Sequence, residues 1–173
     1  MSTSVTKLNN VNIEAVGSLA EKIKSEPHVA QSKWSASVEW KEGFYSEAKI
    51  REFSPISSDE PESLGGSNKA PNPVEQLLGA LGNCLAVGYA ANASAAGVKI
   101  DDLRVEVSGD LDLHTFLGLN PEGNAGFSNI EVKTFIKSDA PREKLEEVHK
   151  NVVATSPVGH TLQRAIPVNI ALQ

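Results

Sequence analysis

The sequence predicts an α+β fold in which antiparallel β hairpins pack around one long, buried helix. Three observations carry that expectation. Residues 77–98 form an uncharged run of helical character, pairs of alternating stretches stand on both sides of it, and turn residues join the members of each pair. Read along the chain, the order is α-ββ-α-ββ-αα-β.

The stretch around which the rest is organised is 71–97. Asn72 stands at N-cap, Pro73 at N1 and Glu75 at N3, from where a carboxylate reaches back to the cap backbone. Gly97 supplies the stop, at C′. A helix this apolar on nearly all sides is expected to be sheathed by protein on most of them. Gly79, Gly82 and Gly88 lie in its interior, where each costs ~1 kcal/mol relative to alanine, so a close approach by another backbone is expected. The apolar core from Leu77 to Ala91 is interrupted by Asn83 and falls short of the about 20 residues that a membrane span needs. It therefore reads as the centre of a soluble protein.

The flanking elements follow in order. Residues 1–10 are polar and expected to fray. Val11, Ile13, Val16, Leu19, Ala20 and Ile23 recur at helical spacing, a short amphipathic helix ended by Pro27. Trp34, Ala36, Val38 and Trp40 alternate as a half-buried strand. Lys41-Glu42-Gly43 makes a turn, and 44–53 returns as a second strand that carries Arg51. Residues 54–72 hold three prolines and two glycines, which reads either as a lid or binding loop or as a mobile connection. Beyond the central helix, Leu103, Val105, Val107, Leu111 and Leu113 alternate, then a loop with Asn120-Pro121, then Ile130, Val132, Thr134 and Ile136. Asp139 is expected to cap a helix from about Pro141 to Ala154 with Leu145, Val148, Val152 and Val153 inward. Ser156-Pro157 opens a short helix, and Ile166, Val168, Ile170 and Leu172 read as a closing strand.

Composition narrows the function. A chain of 173 residues is one domain that buries roughly 70% of its unfolded surface, so it folds without a disulfide or metal. One cysteine excludes an intrachain disulfide, and the lack of a signal-peptide pattern is consistent with a reducing cytoplasm. The net charge of −6, with no basic stripe, argues against nucleic acid. His28, His114, His149 and His160 lack ligand-type spacing, and neither HExxH, CxxC nor a glycine-rich phosphate loop occurs. No metal or cofactor is expected. That leaves Cys84, which lies eleven residues past Pro73 and beyond the reach of the helix start. On its own residues it is either a buried structural thiol or a reactive one served by a cation from another segment.

The run Pro-Asn-Pro-Val-Glu-Gln-Leu-Leu-Gly-Ala-Leu-Gly-Asn-Cys (71–84), with Val98-Lys99-Ile100 leading into the next strand, resembles the OsmC/Ohr family. So do Asp59-Glu60-Pro61 and Gly65-Gly66 upstream, and Ser156-Pro157-Val158-Gly159-His160-Thr161-Leu162 near the end. The resemblance implies an OsmC-like domain over 31–173, with residues 1–30 as an N-terminal extension, folded as an intertwined homodimer with its sites at the interface. It also implies thiol-based reduction of organic hydroperoxides in oxidative-stress defence. Cys84 matches the peroxidatic position, where the thiol becomes a sulfenic acid that a second cysteine converts to a disulfide for a dithiol to reduce.

Three departures qualify the carry-over. Ser156 occupies the resolving position, cannot form a disulfide, and has a sufficient explanation as an N-cap. The family's glutamate position holds Val74, while Glu75 comes one residue later and so about a quarter of a turn round the helix. Glu75 is thus a candidate catalytic carboxylate or only a capping residue. The arginine that steadies the thiolate stands at no one fixed motif position across the family, so Arg51 is the first candidate and Lys41 the second, with a solvated strand residue as the other reading of Arg51.

The function expected is a one-cysteine peroxidase in which Cys84, Arg51 and Glu75 act on an organic hydroperoxide and an external thiol regenerates the enzyme. The alternatives are a dimer without the chemistry that holds a small apolar ligand, and a redox sensor whose thiol oxidises without efficient turnover. Ser156 and His160 sit four residues apart, but an acyl-transfer reading lacks a third orienting group.

Overall fold

The computed structural model describes residues 7–172. They fall into two compact units, one spanning Glu14–Leu77 and the other combining the described residues up to Ile13 with those from Leu78 onward. No helix among the described residues is long and apolar enough to cross a membrane.

The Glu14–Leu77 unit opens with α1 (Ile13–Ser25, all but its first residue), which ends just before Pro27 as its pattern requires. Strands β1 (Ser37–Glu42) and β2 (Tyr45–Lys49) form the expected hairpin, turning at Gly43 with φ +51° and pairing Val38 with Ala48. β2 is shorter than the alternation predicts. Arg51 lies past its end with φ +51°, in a turn closed by the Phe53 N–H donating to the Ile50 carbonyl at 3.3 Å. The early turn brings back a third strand, β3 (Ile56–Ser58), antiparallel to β2, so the sheet order is β1-β2-β3.

The 54–72 segment is therefore neither structureless nor free. Asp59 is buried, and its Oδ1 accepts the Glu60 N–H at 2.8 Å while Oδ2 accepts those of Ser67 and Lys69 at 3.1 Å each. These donors, the Lys69 N–H foremost, hold the Asp59 carboxyl below the usual carboxylate range against the opposing effect of burial. Gly66 completes the cluster, because a Cβ there would lie 1.9 Å from the Glu60 carbonyl oxygen.

Helix α2 (Pro73–Ala95) leads into the other unit, where β4 (Asp102–Leu111) and β5 (Phe127–Lys137) form an antiparallel pair with the one-turn helix α3 (Leu113–Phe116) at its tip. Helices α4 (Arg142–Thr155) and α5 (Pro157–Leu162) follow. The stop of α2 is a Schellman turn. Gly97 has φ +68°, its N–H donates to the Ser94 carbonyl at 3.1 Å, and that of Val98 donates to the Ala93 carbonyl at 2.8 Å.

The core is a stripe of α2, with Leu81, Leu85, Tyr89 and Ala93 four residues apart, packed with Val98 and with Val148 and Val152 of α4. Val153, expected inward, is largely exposed, since it is one position round from Val152. Gly88 admits a side chain rather than a backbone, because a Cβ there would lie 3.0 Å from Val152 Cγ1. Gly79 has nothing within 4 Å of that position. The sheath expected around α2 is one-sided within this chain, with Leu77, Ala80 and Asn83 exposed and Val87 70% exposed.

Three further expectations are corrected. Of residues 1–10, read as frayed, 1–6 lie outside the described residues and 8–10 are tied to the rest of the chain. Asn9, at φ +51°, donates from Nδ2 to the Val98 carbonyl at 2.8 Å and accepts the Ile100 N–H on Oδ1 at 2.8 Å. Asp139 does not cap α4. The helix starts at Arg142 with Pro141 at the cap position, two residues past Asp139, and proline has no side-chain acceptor to offer. The closing strand is absent, since residues 166–172 have no pairing partner and Ile170 is 92% exposed.

Candidate active site

Cys84 sits at the edge of the buried stripe of α2, adjacent to Leu85, and is partly exposed. Its partner comes from the far end of α4. Packing of Val148 and Val152 into the core fixes that helix, and the chain then leaves helical geometry at Ser156 (φ −71°, ψ 112°) before Pro157 starts α5. Ser156 is 5% exposed and its Oγ accepts the Gly159 N–H at 3.1 Å, the N-cap bond expected from Ser-Pro. The same Oγ lies 3.3 Å from Cys84 Sγ, a contact between residues 72 apart in the sequence.

The other candidates are already engaged. Glu75 and Asn72 form a reciprocal capping box, with the Asn72 N–H donating to the Glu75 carboxylate and the Glu75 N–H donating to Asn72 Oδ1, both at 2.9 Å. Arg51 stands in its turn rather than on a strand and lays its guanidinium 4.6 Å from the Phe53 ring centroid. Lys41 Nζ is 2.7 Å from Glu39 and 3.5 Å from Glu47, and its hydrogen bond to Glu39 raises its pKa. These residues belong to the Glu14–Leu77 unit, whereas Cys84 and Ser156 belong to the other.

Two residues that sequence reasoning passed over also bear on the site. The buried Tyr89 hydroxyl is hydrogen-bonded to His149 Nδ1, with the rings stacked at 6.0 Å. The signal was available, since a tyrosine extending the Leu81–Leu85 stripe needs a polar partner for its hydroxyl. Both line a cavity of about 1140 Å³, bounded also by Leu81, Leu85, Ile130 and Ser156. Ser156 thus both lines the cavity and touches the sulfur of Cys84.

The fold and this thiol–hydroxyl pair define an α+β protein built around a cysteine on its central helix. A family model described as OsmC-like protein matches residues 66–171, and the chain belongs to the OsmC family. Solved structures agree on the fold. An OsmC-like protein from Mycoplasma pneumoniae is 24% identical with a TM-score of 0.66, covering 77% of this chain and 89% of that one. An organic hydroperoxide resistance protein OsmC from Legionella pneumophila is 14% identical with a TM-score of 0.59, covering 77% and 92%. An organic hydroperoxide resistance protein from Elizabethkingia anophelis is 15% identical with a TM-score of 0.59, covering 77% and 91%. A comparison of the sequence with curated proteins found no match.

Proposed function

We propose that this chain is a one-cysteine reductase of organic hydroperoxides, working in the cytoplasm as a homodimer and recycled by an external thiol. The observation that carries the reading is the Cys84–Ser156 contact at 3.3 Å, a partly exposed cysteine held against the residue at the family's resolving position. Family membership and neighbours named for organic hydroperoxide resistance support the substrate class.

In the proposed step, the Cys84 thiolate attacks the terminal oxygen of the hydroperoxide. An S–O bond forms, the O–O bond breaks, sulfur gives up two electrons, and the departing alkoxide takes a proton from water to leave as the alcohol. Serine at position 156 cannot supply a second sulfur. An external thiol therefore condenses with the sulfenic acid, releasing water, and a second thiol frees Cys84 from the mixed disulfide. Arg51 is the proposed cation for the thiolate, with Lys41 as the alternative, and Glu75 the proposed carboxylate. The domain proper is proposed to span 31–173, with 1–30 as an extension.

What one chain leaves uncovered supports the dimer. Leu77 and Val87 on the open face of α2, together with Trp34, Trp40 and Phe53, are exposed in a single copy. Light scattering at micromolar concentration should give twice the chain mass, and dilution should cause dissociation and unfolding together. A stable monomer would remove the dimer from the proposal.

Mass spectrometry after a pulse of alkyl hydroperoxide tests the chemistry. One added oxygen on Cys84, and further oxidation when no small thiol is present, is the expected result. A free thiol after millimolar peroxide would overturn the peroxidase reading. It would favour a second one, that the cavity bounded by Leu81, Leu85 and Ile130 holds a small apolar ligand.

A further inference from the structure

We infer that Ser156 is a positioning residue for Cys84, its hydroxyl donating a hydrogen bond that steadies the thiolate as well as capping a helix. The inference deepens the peroxidase proposal and rests on it for the reaction, but the hydrogen bond can be tested without peroxide. A serine hydroxyl has one proton and two acceptor lone pairs. The Gly159 N–H, which only donates, takes a lone pair at 3.1 Å, and Cys84 Sγ is the other contact of the oxygen, at 3.3 Å. A thiolate carries no proton, so across that contact the serine must be the donor and the sulfur the acceptor.

Two features make the arrangement more than a neighbourly approach. Ser156 is buried, so water competes poorly for its proton. Its side-chain rotamer is fixed by the cap bond, and the oxygen rests where a Cβ at Gly159 would come within 3.0 Å, so glycine at that position leaves room for it. Hydrogen bonds to a charged acceptor are among the stronger ones in proteins. After oxidation the hydroxyl still faces the sulfur but has no sulfur of its own to offer. The device that readies Cys84 thus also leaves its oxidised form to an outside thiol.

The rate of Cys84 alkylation by iodoacetamide, followed against pH alongside thermal unfolding, tests the inference. Replacing Ser156→Ala should move the alkylation profile to higher pH and slow the reaction at pH 7 about tenfold, the scale of one lost charge-assisted bond. Ser156→Thr keeps the hydroxyl and should restore the profile. Should the alanine variant fold poorly, Ser156→Gly removes the hydroxyl while glycine remains tolerable at an N-cap, and the same shift is expected. A lowered melting temperature with an unmoved profile in these variants would reduce Ser156 to a cap and overturn the inference. If the profile shifts but peroxide leaves Cys84 untouched, the hydrogen bond stands and the peroxidase proposal fails. If peroxide oxidises Cys84 and the profile does not shift, the reverse holds.

Discussion

Asn72 and Ser156 occupy matching positions, each capping a helix that opens with Pro-Val, in Asn72-Pro73-Val74-Glu75 and Ser156-Pro157-Val158-Gly159. At the first, Glu75 at N3 closes the box, and Asn72 Nδ2 also donates to the Glu60 carboxylate at 3.2 Å. At the second, the N3 residue is glycine, so no side chain returns to the Ser156 backbone N–H, while the Ser156 oxygen accepts the Gly159 N–H and faces Cys84. One cap box is closed by its own N3 residue. Both cap side chains also reach beyond their helix, and what they meet there differs: a carboxylate at Asn72, a thiol at Ser156.

The comparison is broken most completely by giving the open cap a sulfur. In Ser156→Cys, alkyl hydroperoxide should drive an intrachain disulfide between Cys84 and the introduced thiol, seen by mass spectrometry and non-reducing electrophoresis, whereas the wild type stops at oxidised Cys84. The 3.3 Å separation of the present side-chain atoms makes this geometry accessible, provided the Cα atoms stand within about 7 Å. Absence of the disulfide while Cys84 oxidises would show that the pair cannot close.

A closed cluster should respond through stability instead. Asp59→Asn turns an acceptor-only carboxylate into an amide whose NH2 must face at least one of the three N–H donors, so 59–69 should lose protection from hydrogen exchange. Because the Asp59 carboxyl titrates below its ordinary range in the folded chain, its contribution is fully present above that range. It should disappear as pH falls through the depressed value, when the carboxylate protonates. An acid-unfolding curve for Asp59→Asn lying on that of the wild type would contradict this assignment.

Smaller effects are expected at the closed cap. Glu75→Ala should lower stability by about 1 kcal/mol in chemical denaturation, the usual cost of losing a helix cap. Glu75→Gln retains an accepting oxygen and should fall within a few tenths of a kcal/mol of the wild type. The glutamine variant therefore separates stability from chemistry. Slowed peroxide reduction at unchanged stability is expected if Glu75 is the proposed carboxylate, and an unchanged rate would confine it to the cap.

Much of this fold is legible locally. The Asn72 and Ser156 caps, the Gly97 stop and the Gly43 turn are set by residues within three or four positions, and the structure has each where the residue types call for it. Alternation likewise located β1, β2, β4 and β5 but misjudged where β2 ends, because the turn at Arg51 serves a third strand whose own pattern is only three residues long. The closing strand failed for a related reason. Alternation at 166–172 marks a segment fit to pair, but pairing also requires a partner strand, and none of the described strands takes it.

By itself, then, the sequence determined the helix ends, the hairpins, the central apolar helix and the singular standing of Cys84, all of them properties of residue type and short spacing. Tertiary structure alone decided that 54–72 is pinned by a buried aspartate, that Tyr89 meets His149, and that Ser156 reaches Cys84 across 72 residues. The reason is the same in each case. A cap is closed by neighbours in the chain, whereas the Ser156–Cys84 contact exists only because Val148 and Val152 hold α4 against Leu81, Leu85 and Tyr89 in one core.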